Sequence, residues 1–485
     1  MIGSGAGGAP AAALLAEAGL DVVLLEAGPR VSAAGFTDHE AEMTARLGRL
    51  ATTADGVQSL YAGACLGGST TVNDAICWRT PPEVLETWRR EHALPELAPD
   101  RFAPHVERAW RDVHAEPTPP GLRSRNAALL ERGAQRLGWA GGWLARSVRG
   151  CAGLGRCNLG CPLDAKQSTL VSYLPRAERA GARVLADTRV LRLRVRAGAA
   201  AGVEAVRLDP ATRRPRRPLQ VDAPLVCLAA GVLESGALLQ RSGLRRAAGR
   251  GIQLHSSLPV AARFAEPVHG AFGPTMSYAV SQFSDVDGHA GPGYMLENTA
   301  VTPLLTAWGL PDFGEPHAEA MQALPFLARA VVVLRDRARG SARAAGEGPA
   351  RIDYRLLPED LARLRDGVAA LARAYLAAGA LEVFAPVHGL GPLRGEADVR
   401  RFEAPPLDPT RLAFLYAVHL FGGAAMGGQR AASFCDAEGH SWEVRGLYVT
   451  DAAALPGNTG VNPQITILAN ALRIAGGIAA REGRP

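Results

Sequence analysis

The first 28 residues, MIGSGAGGAPAAALLAEAGLDVVLLEAG, restrict the fold more than any other stretch of the chain. Gly3, Gly5 and Gly8 form a Gly-x-Gly-x-x-Gly turn. In such a turn the first glycine allows the sharp bend, the second lets backbone approach a pyrophosphate, and the third lets the following helix pack against its strand. A small, Ala-rich helix is expected from Ala9 to Ala18, ended by Gly19. DVVLLEAG then reads as a buried parallel strand with Glu26 at its carboxyl end, 18 residues after Gly8, where an acidic side chain hydrogen-bonds a ribose. This is half of a dinucleotide-binding βαβ unit. Its anomaly is the leading strand, for which only Met1 and Ile2 stand ahead of the first glycine. The reading is a truncated first strand, which in the chain as written leaves the sheet short of a central strand and weakly stable.

A length of 485 residues exceeds what one core usually organises, so two domains are expected, interleaved along the chain. Two further apolar strands, in PLVCLAAG and GLYVTDAAALP, each lead into a helix, the last being NPQITILANALRIAGGIAA. The texture changes between about Gly270 and Pro406, with alternating stretches such as ARIDYRLL and a helix from Pro358 to Ala378. The fold class is therefore α/β: a Rossmann-like nucleotide-binding domain over residues 1–82, 150–262 and 407–485, and a substrate region over 83–149 and 263–406 built on an antiparallel sheet with helices. The net charge of +6 does not indicate nucleic acid, because 52 of the 53 basic residues are arginine, scattered among Ala and Gly rather than clustered. No apolar run reaches the roughly 18 residues of a membrane span and no charged-then-apolar leader precedes the glycines, so a cytoplasmic location is expected. Seven cysteines, an odd number in a long chain, argue against a disulfide scaffold.

Glycine turns serve nicotinamide and flavin nucleotides alike, so other segments decide. LGGSTTVNDAICWRTP is a second glycine turn, in which Gly67, Gly68, Ser69 and Asn73 suit the phosphates of the same cofactor. The last helix opens at GVNPQITI, where Pro463 fits a first helical turn and leaves N–H groups free to stabilise charge on a reduced flavin ring. With GSGAGG, LLEAG, GGSTTVN, LAAGVLES, HLFGGAAMG and GLYVTDAAALPGNTGVNPQITILANALRIA in this order, nearly the whole chain resembles the glucose-methanol-choline (GMC) oxidoreductases, flavoproteins that oxidise alcohols. GCAGLGRCNLGCPLDAKQSTLVSYLPRA looks most like the branch of long-chain fatty alcohol oxidases and sterol-type dehydrogenases. The resemblance implies FAD, with Gly3, Gly5, Gly8 and Glu26 on its ADP half, Val190 near the adenine and Asp451 near the ribityl chain. It places Gly67, Gly68, Ser69, Asn73, Ala230, Pro463 and Gln464 around the pyrophosphate and flavin.

Oxidising an alcohol requires loss of the hydroxyl proton and of a hydride, and histidine suits the first step. His419 has an apolar strand behind it and glycines ahead, and the resemblance puts it on the family's catalytic histidine, with Asn462 as the partner that holds the substrate oxygen. Gly423 and Ala425 depart from the pattern, where Thr or Ser and Arg are commoner. His255 reads as structural. The activity expected is oxidation of a hydrophobic primary or secondary alcohol, with Met276, Tyr294, Met295 and Trp308 as pocket lining or plain core. A lyase or decarboxylase on the same scaffold and a cofactor-free binding subunit are the competing readings. Cys151, Cys157 and Cys161 are spaced to converge in a glycine-rich loop, as a structural cysteine loop or as ligands of a 3Fe-4S centre that would pass electrons to a carrier. Cys65, Cys77, Cys227 and Cys435 look like small core residues.

Overall fold

The computed structural model describes residues 1–284, 286 and 291–483. Its nucleotide-binding part is a parallel sheet. Val23–Leu25 pairs with Arg183–Leu185, and Val226–Leu228 pairs with Leu447–Val449. Ile2 bridges the two pairs, parallel to both Leu25 and Leu228. Its N–H donates to Cys227 O (2.9 Å) and Gly3 N–H donates to Leu25 O (2.8 Å). The central position expected to be empty is thus held by a ladder one residue long. Met1 and Ile2 form no strand of their own, and the contacts they make there are this single bridge and the backbone hydrogen bonds beside it.

The helix Gly8–Glu17 buries seven of its first eight side chains or glycine faces in close packing, as its run of alanines anticipated. It lies against the closing helix Gln464–Glu482 and against Tyr173–Arg179.

The second layer is an 11-stranded, largely antiparallel sheet whose main path runs through Gly48–Thr52, Ser59–Gly63, Tyr416–Phe421, Arg250–Arg263, Leu327–Leu334, Tyr294–Asn298, Tyr278–Val280 and Gly141–Trp143. Four of these strands come from segments assigned on sequence to the nucleotide-binding domain, so the two regions share this sheet. Behind it packs the helix Pro358–Ala378, whose limits match the sequence reading. Pro358 opens it, Asp360 accepts a hydrogen bond from Leu357 N–H (3.2 Å), and Gly379 ends it with φ at +100°. It crosses the helix Arg125–Arg136 at Gly133, where a Cβ would lie 2.0 Å from Ala374 O. The opposite face of the sheet fronts the nucleotide-binding part, and the cavity lies between them. Among the described residues no helix is long and apolar enough to cross a membrane.

Candidate cofactor and catalytic site

One cavity of about 660 Å³ runs from Glu26, past both glycine turns, to His419 and Asn462. Gly3, Gly5, Gly68, Ser69 and Asn73 line its middle. Val190, Ala230, Asp451, Pro463 and Gln464 also reach it. Gly8 and Gly67 do not. Gly8 packs on the first turn, where a Cβ would sit 2.0 Å from Gly3 O, and Gly67 donates its N–H to Ser4 Oγ (3.0 Å). The two turns meet closely: a Cβ on Gly68 would lie 2.8 Å from Gly5 Cα.

Glu26 is held in place by its own neighbours. Oε2 accepts from Ser4 N–H (3.0 Å) and Ser4 Oγ–H (2.7 Å), and Oε1 accepts from Gly28 N–H (2.8 Å), which leaves Oε1 a lone pair for a further donor. Asp451 accepts from Gly231 N–H (2.7 Å), Ser235 Oγ–H (3.0 Å) and Ala453 N–H (2.9 Å). Asn73 Nδ2 donates to Gln464 Oε1, tying the second turn to the start of the last helix. Pro463 is the N-cap of that helix rather than its first turn. A carboxylate at one end, glycine-lined backbone in the middle and a helix N-terminus beyond fit a dinucleotide such as FAD.

Gly3 gives a direct test of the cradle. Its φ is +89°, and a Cβ there would lie 2.1 Å from Ala229 O, in the strand end that Ile2 pairs with. Gly3→Ala is expected to cost about 3 kcal/mol or more and to abolish retention of FAD. Denaturant unfolding and flavin content check this, and an unchanged midpoint would show that the turn is not as drawn.

At the other end of the cavity His255, which reads as structural in the sequence, packs directly against His419. Gly460 N–H donates to His255 Nε2 (3.2 Å), so neutral His255 carries its proton on Nδ1. That nitrogen lies 3.2 Å from His419 Nδ1. His419 Nδ1 is therefore the acceptor, and neutral His419 keeps its own proton on Nε2. Burial lowers the His419 pKa to about 4 and that of His255 well below its ordinary value, so both rings are neutral near pH 7.

A residue that sequence reasoning missed completes the group. Glu297, in the strand Tyr294–Asn298, reaches the cavity wall, and its Oε2 accepts from Asn462 Nδ2 (3.3 Å). Burial raises its pKa to about 7, against the lowering effect of Asn462. Among the described residues neither Glu297 Oε1 nor Asn462 Oδ1 has a hydrogen-bond partner. Met276 and Trp308 reach the cavity, whereas strand alternation turns Tyr294 to the face opposite Glu297, where it stacks on Phe283. Met295 is buried without reaching the cavity.

The cysteine loop does not form the ligand set that its spacing suggested. Among the described residues no group of three His, Cys, Asp or Glu side chains is placed to hold a metal ion. Arg146, only 1% exposed, occupies the place instead: its guanidinium donates to Cys157 Sγ (3.0 Å) and Cys151 Sγ (3.9 Å). A cation on these sulfurs would compete with iron for them. Burial raises the Cys157 pKa, but Arg146 and Lys166 outweigh it and the net shift is downward. Lys166, the only lysine of the chain, is also structural here. Buried, with its pKa pushed down to about 8, it donates to Thr71 O (2.5 Å), Asn73 O (2.9 Å) and Cys157 O, fastening the cysteine loop to the second glycine turn. The other four cysteines are buried, as expected.

Fold and cavity together define a Rossmann-type protein with room for a dinucleotide. Two sequence profiles of GMC oxidoreductases match residues 40–257 and 337–471, and an NAD(P)-binding Rossmann-like profile matches residues 1–58. The chain is 36% identical to a GMC-type oxidoreductase of Mycobacterium tuberculosis over 98% of its own length and 74% of that protein. It is 34% identical to the GMC-type oxidoreductase y4nJ of Sinorhizobium fredii, covering 98% and 93% of the two chains. A long-chain-alcohol oxidase of Arabidopsis thaliana is 26% identical over 99% of this chain and 67% of its own. In fold this chain is similar to the pyridoxine 4-oxidase of Mesorbium loti, with a TM-score of 0.70 at 18% identity over 99% and 98% of the two chains. The protein belongs to the GMC oxidoreductase family, and so to the flavoprotein oxidoreductases of CH–OH donors.

Proposed function

We propose that the protein oxidises the CH–OH group of an apolar alcohol, with FAD along the cavity and His419, Asn462 and Glu297 around the carbinol. FAD, when bound, supplies the hydride acceptor. The observation that carries this reading is the continuity of one cavity from the dinucleotide cradle to a cluster of three polar side chains, His419 half-buried and Glu297 and Asn462 buried, with Met276, Trp308, Val331 and Val333 as apolar wall of the same cavity.

His419 Nε2–H donates to the substrate oxygen and stabilises the charge that develops there as its proton leaves. A histidine base was expected from the sequence. For Nε2 to accept a proton, the dyad would have to reverse its hydrogen-bond order and set a proton on His255 Nε2 against Gly460 N–H. That reversal leaves a buried donor unpaired, at a cost of about 1–3 kcal/mol. Glu297 is the better proton acceptor, because its pKa of about 7 matches a base working near neutrality. Asn462 orients the oxygen between the two.

The apolar wall favours fatty, aromatic or sterol-like alcohols over sugars. Anaerobic reduction of the FAD-loaded protein across fatty, aromatic, sterol and sugar alcohols tests the reading. Bleaching by the apolar alcohols supports it. Bleaching by sugars alone would overturn the apolar substrate class, and bleaching by no alcohol would return the protein to the lyase, decarboxylase or binding-subunit readings.

A further inference from the structure

Among the charged side chains of the cavity wall that the steps above do not use, Arg329 lies on the sheet beside the apolar wall. Arg329 sits on the strand Leu327–Leu334, on the same face as Val331 and Val333, and the three line the cavity together. It is 3% exposed. Of the five N–H donors of its guanidinium, only Nη1 is paired among the described residues, donating to Ala300 O (3.1 Å). Asp74 and Glu40 are close enough for their charges to be felt, yet among the described residues no carboxylate lies within ion-pair distance of Arg329. Leu305, Trp308 and Val331 line the same cavity, and the end of the helix Pro303–Gly309 reaches the guanidinium, with Gly309 beside Nη2. A buried cation in such surroundings is unfavourable unless an anion completes it, and a planar fork of donors matches a carboxylate in two-point fashion.

Its position sets the spacing. Val331 pairs with Glu297 across the two strands, and Arg329 lies two residues beyond Val331 on the same face, about 7 Å along the strand. Resting on the alcohol-oxidation reading, we infer that the substrate is a hydroxy acid: its CH–OH lies at His419, Asn462 and Glu297, and its carboxylate pairs with Arg329 at the far end of the apolar wall. The guanidinium is a specificity-determining group and takes no part in the proton or hydride steps.

The test compares the FAD-loaded wild-type protein with Arg329→Met and Arg329→Lys, using n-hexanol, the ω-hydroxy acid of the same chain length, its neutral amide, and hexanoate as a non-reacting probe. The wild-type kcat/KM for the hydroxy acid is expected to exceed those for the alkanol and the amide by about 10-fold or more. R329M should bring that ratio to about one, and R329K should restore it in part. Hexanoate should bind the wild-type protein by calorimetry and compete with n-hexanol, and its binding should weaken by the same factor in R329M. A wild-type ratio near one, or hexanoate binding that R329M leaves unchanged, would overturn the assignment. Competition by hexanoate without any preference for the hydroxy acid would assign Arg329 to a separate carboxylate and equally overturn it. The substrate arms on wild-type protein need no variant to fold. Turnover of neither compound, with hexanoate still bound through Arg329, would instead count against alcohol oxidation and leave the anion site standing.

Discussion

Glu297→Gln slows anaerobic reduction of the bound flavin by alcohols by about 10² or more, the range in which a positioned base acts. Glutamine keeps the side-chain oxygen that faces Asn462 and loses only the capacity to accept a proton, so substrate binding should change little. The pH profile separates this role from a mere packing role. In the wild-type protein a base with a pKa of about 7 must be deprotonated to work, so the rate rises with pH through that value. Were His419 the base, the corresponding limb would fall near its own pKa of about 4. Stability moves the opposite way. Because burial raises the folded-state pKa of Glu297, its favourable contribution is present below the ordinary carboxylate pKa and is lost as pH rises through about 7. E297Q removes that loss, so the melting temperature of the variant should exceed that of the wild-type protein at pH values above about 7 and approach it in acid, where the wild-type carboxyl is itself neutral. Rapid-mixing reduction and thermal unfolding over the same pH series check both halves. A limb that stays in place in E297Q would remove Glu297 from proton transfer.

His419→Ala slows the same reduction by about 10² or more while FAD stays bound. The size follows from deleting a donor aimed at developing charge. Retention of FAD follows from geometry, since the nucleotide cradle is built from Glu26, the two glycine turns and Asp451, none of which leans on His419. The substitution also leaves His255 Nδ1–H without its acceptor in a buried place, so a loss of about 1–3 kcal/mol of stability accompanies the kinetic effect. His419→Gln returns a donor to the cavity and should recover part of the rate, whereas it could not recover a proton-accepting role. Stopped-flow reduction measures the rates, and the visible spectrum after gel filtration measures retained flavin. An unchanged rate in H419A would take the imidazole out of the mechanism.

The nucleotide-binding half was legible because its demands are local. A glycine at φ +89°, a glycine whose Cβ would strike Gly3 O and an acidic residue at the next strand end each need a particular residue type at a particular spacing. The long helix at Pro358–Ala378 was legible for the same reason, with proline at its start and glycine past its end. What escaped depends on contacts between distant segments. Glu297 reads as one polar residue in YMLEN, and only the pairing of its strand with Leu327–Leu334 carries it to Asn462, 165 residues away. His255 read as structural because Gly460, which sets its tautomer, is 205 residues distant. The cysteine trio shows the converse failure. Its spacing allows convergence, but Arg146 arrives from a neighbouring strand and takes the sulfurs as its own partners. Alternation along Tyr294–Asn298 could have separated Tyr294 from Glu297, since the two differ by an odd number of residues and so face opposite sides.

Visible absorption of the protein after incubation with FAD and removal of free cofactor tests the central claim most directly. The account predicts retained flavin bands that bleach when an apolar alcohol is added without oxygen. A colourless protein that takes up no FAD would contradict it.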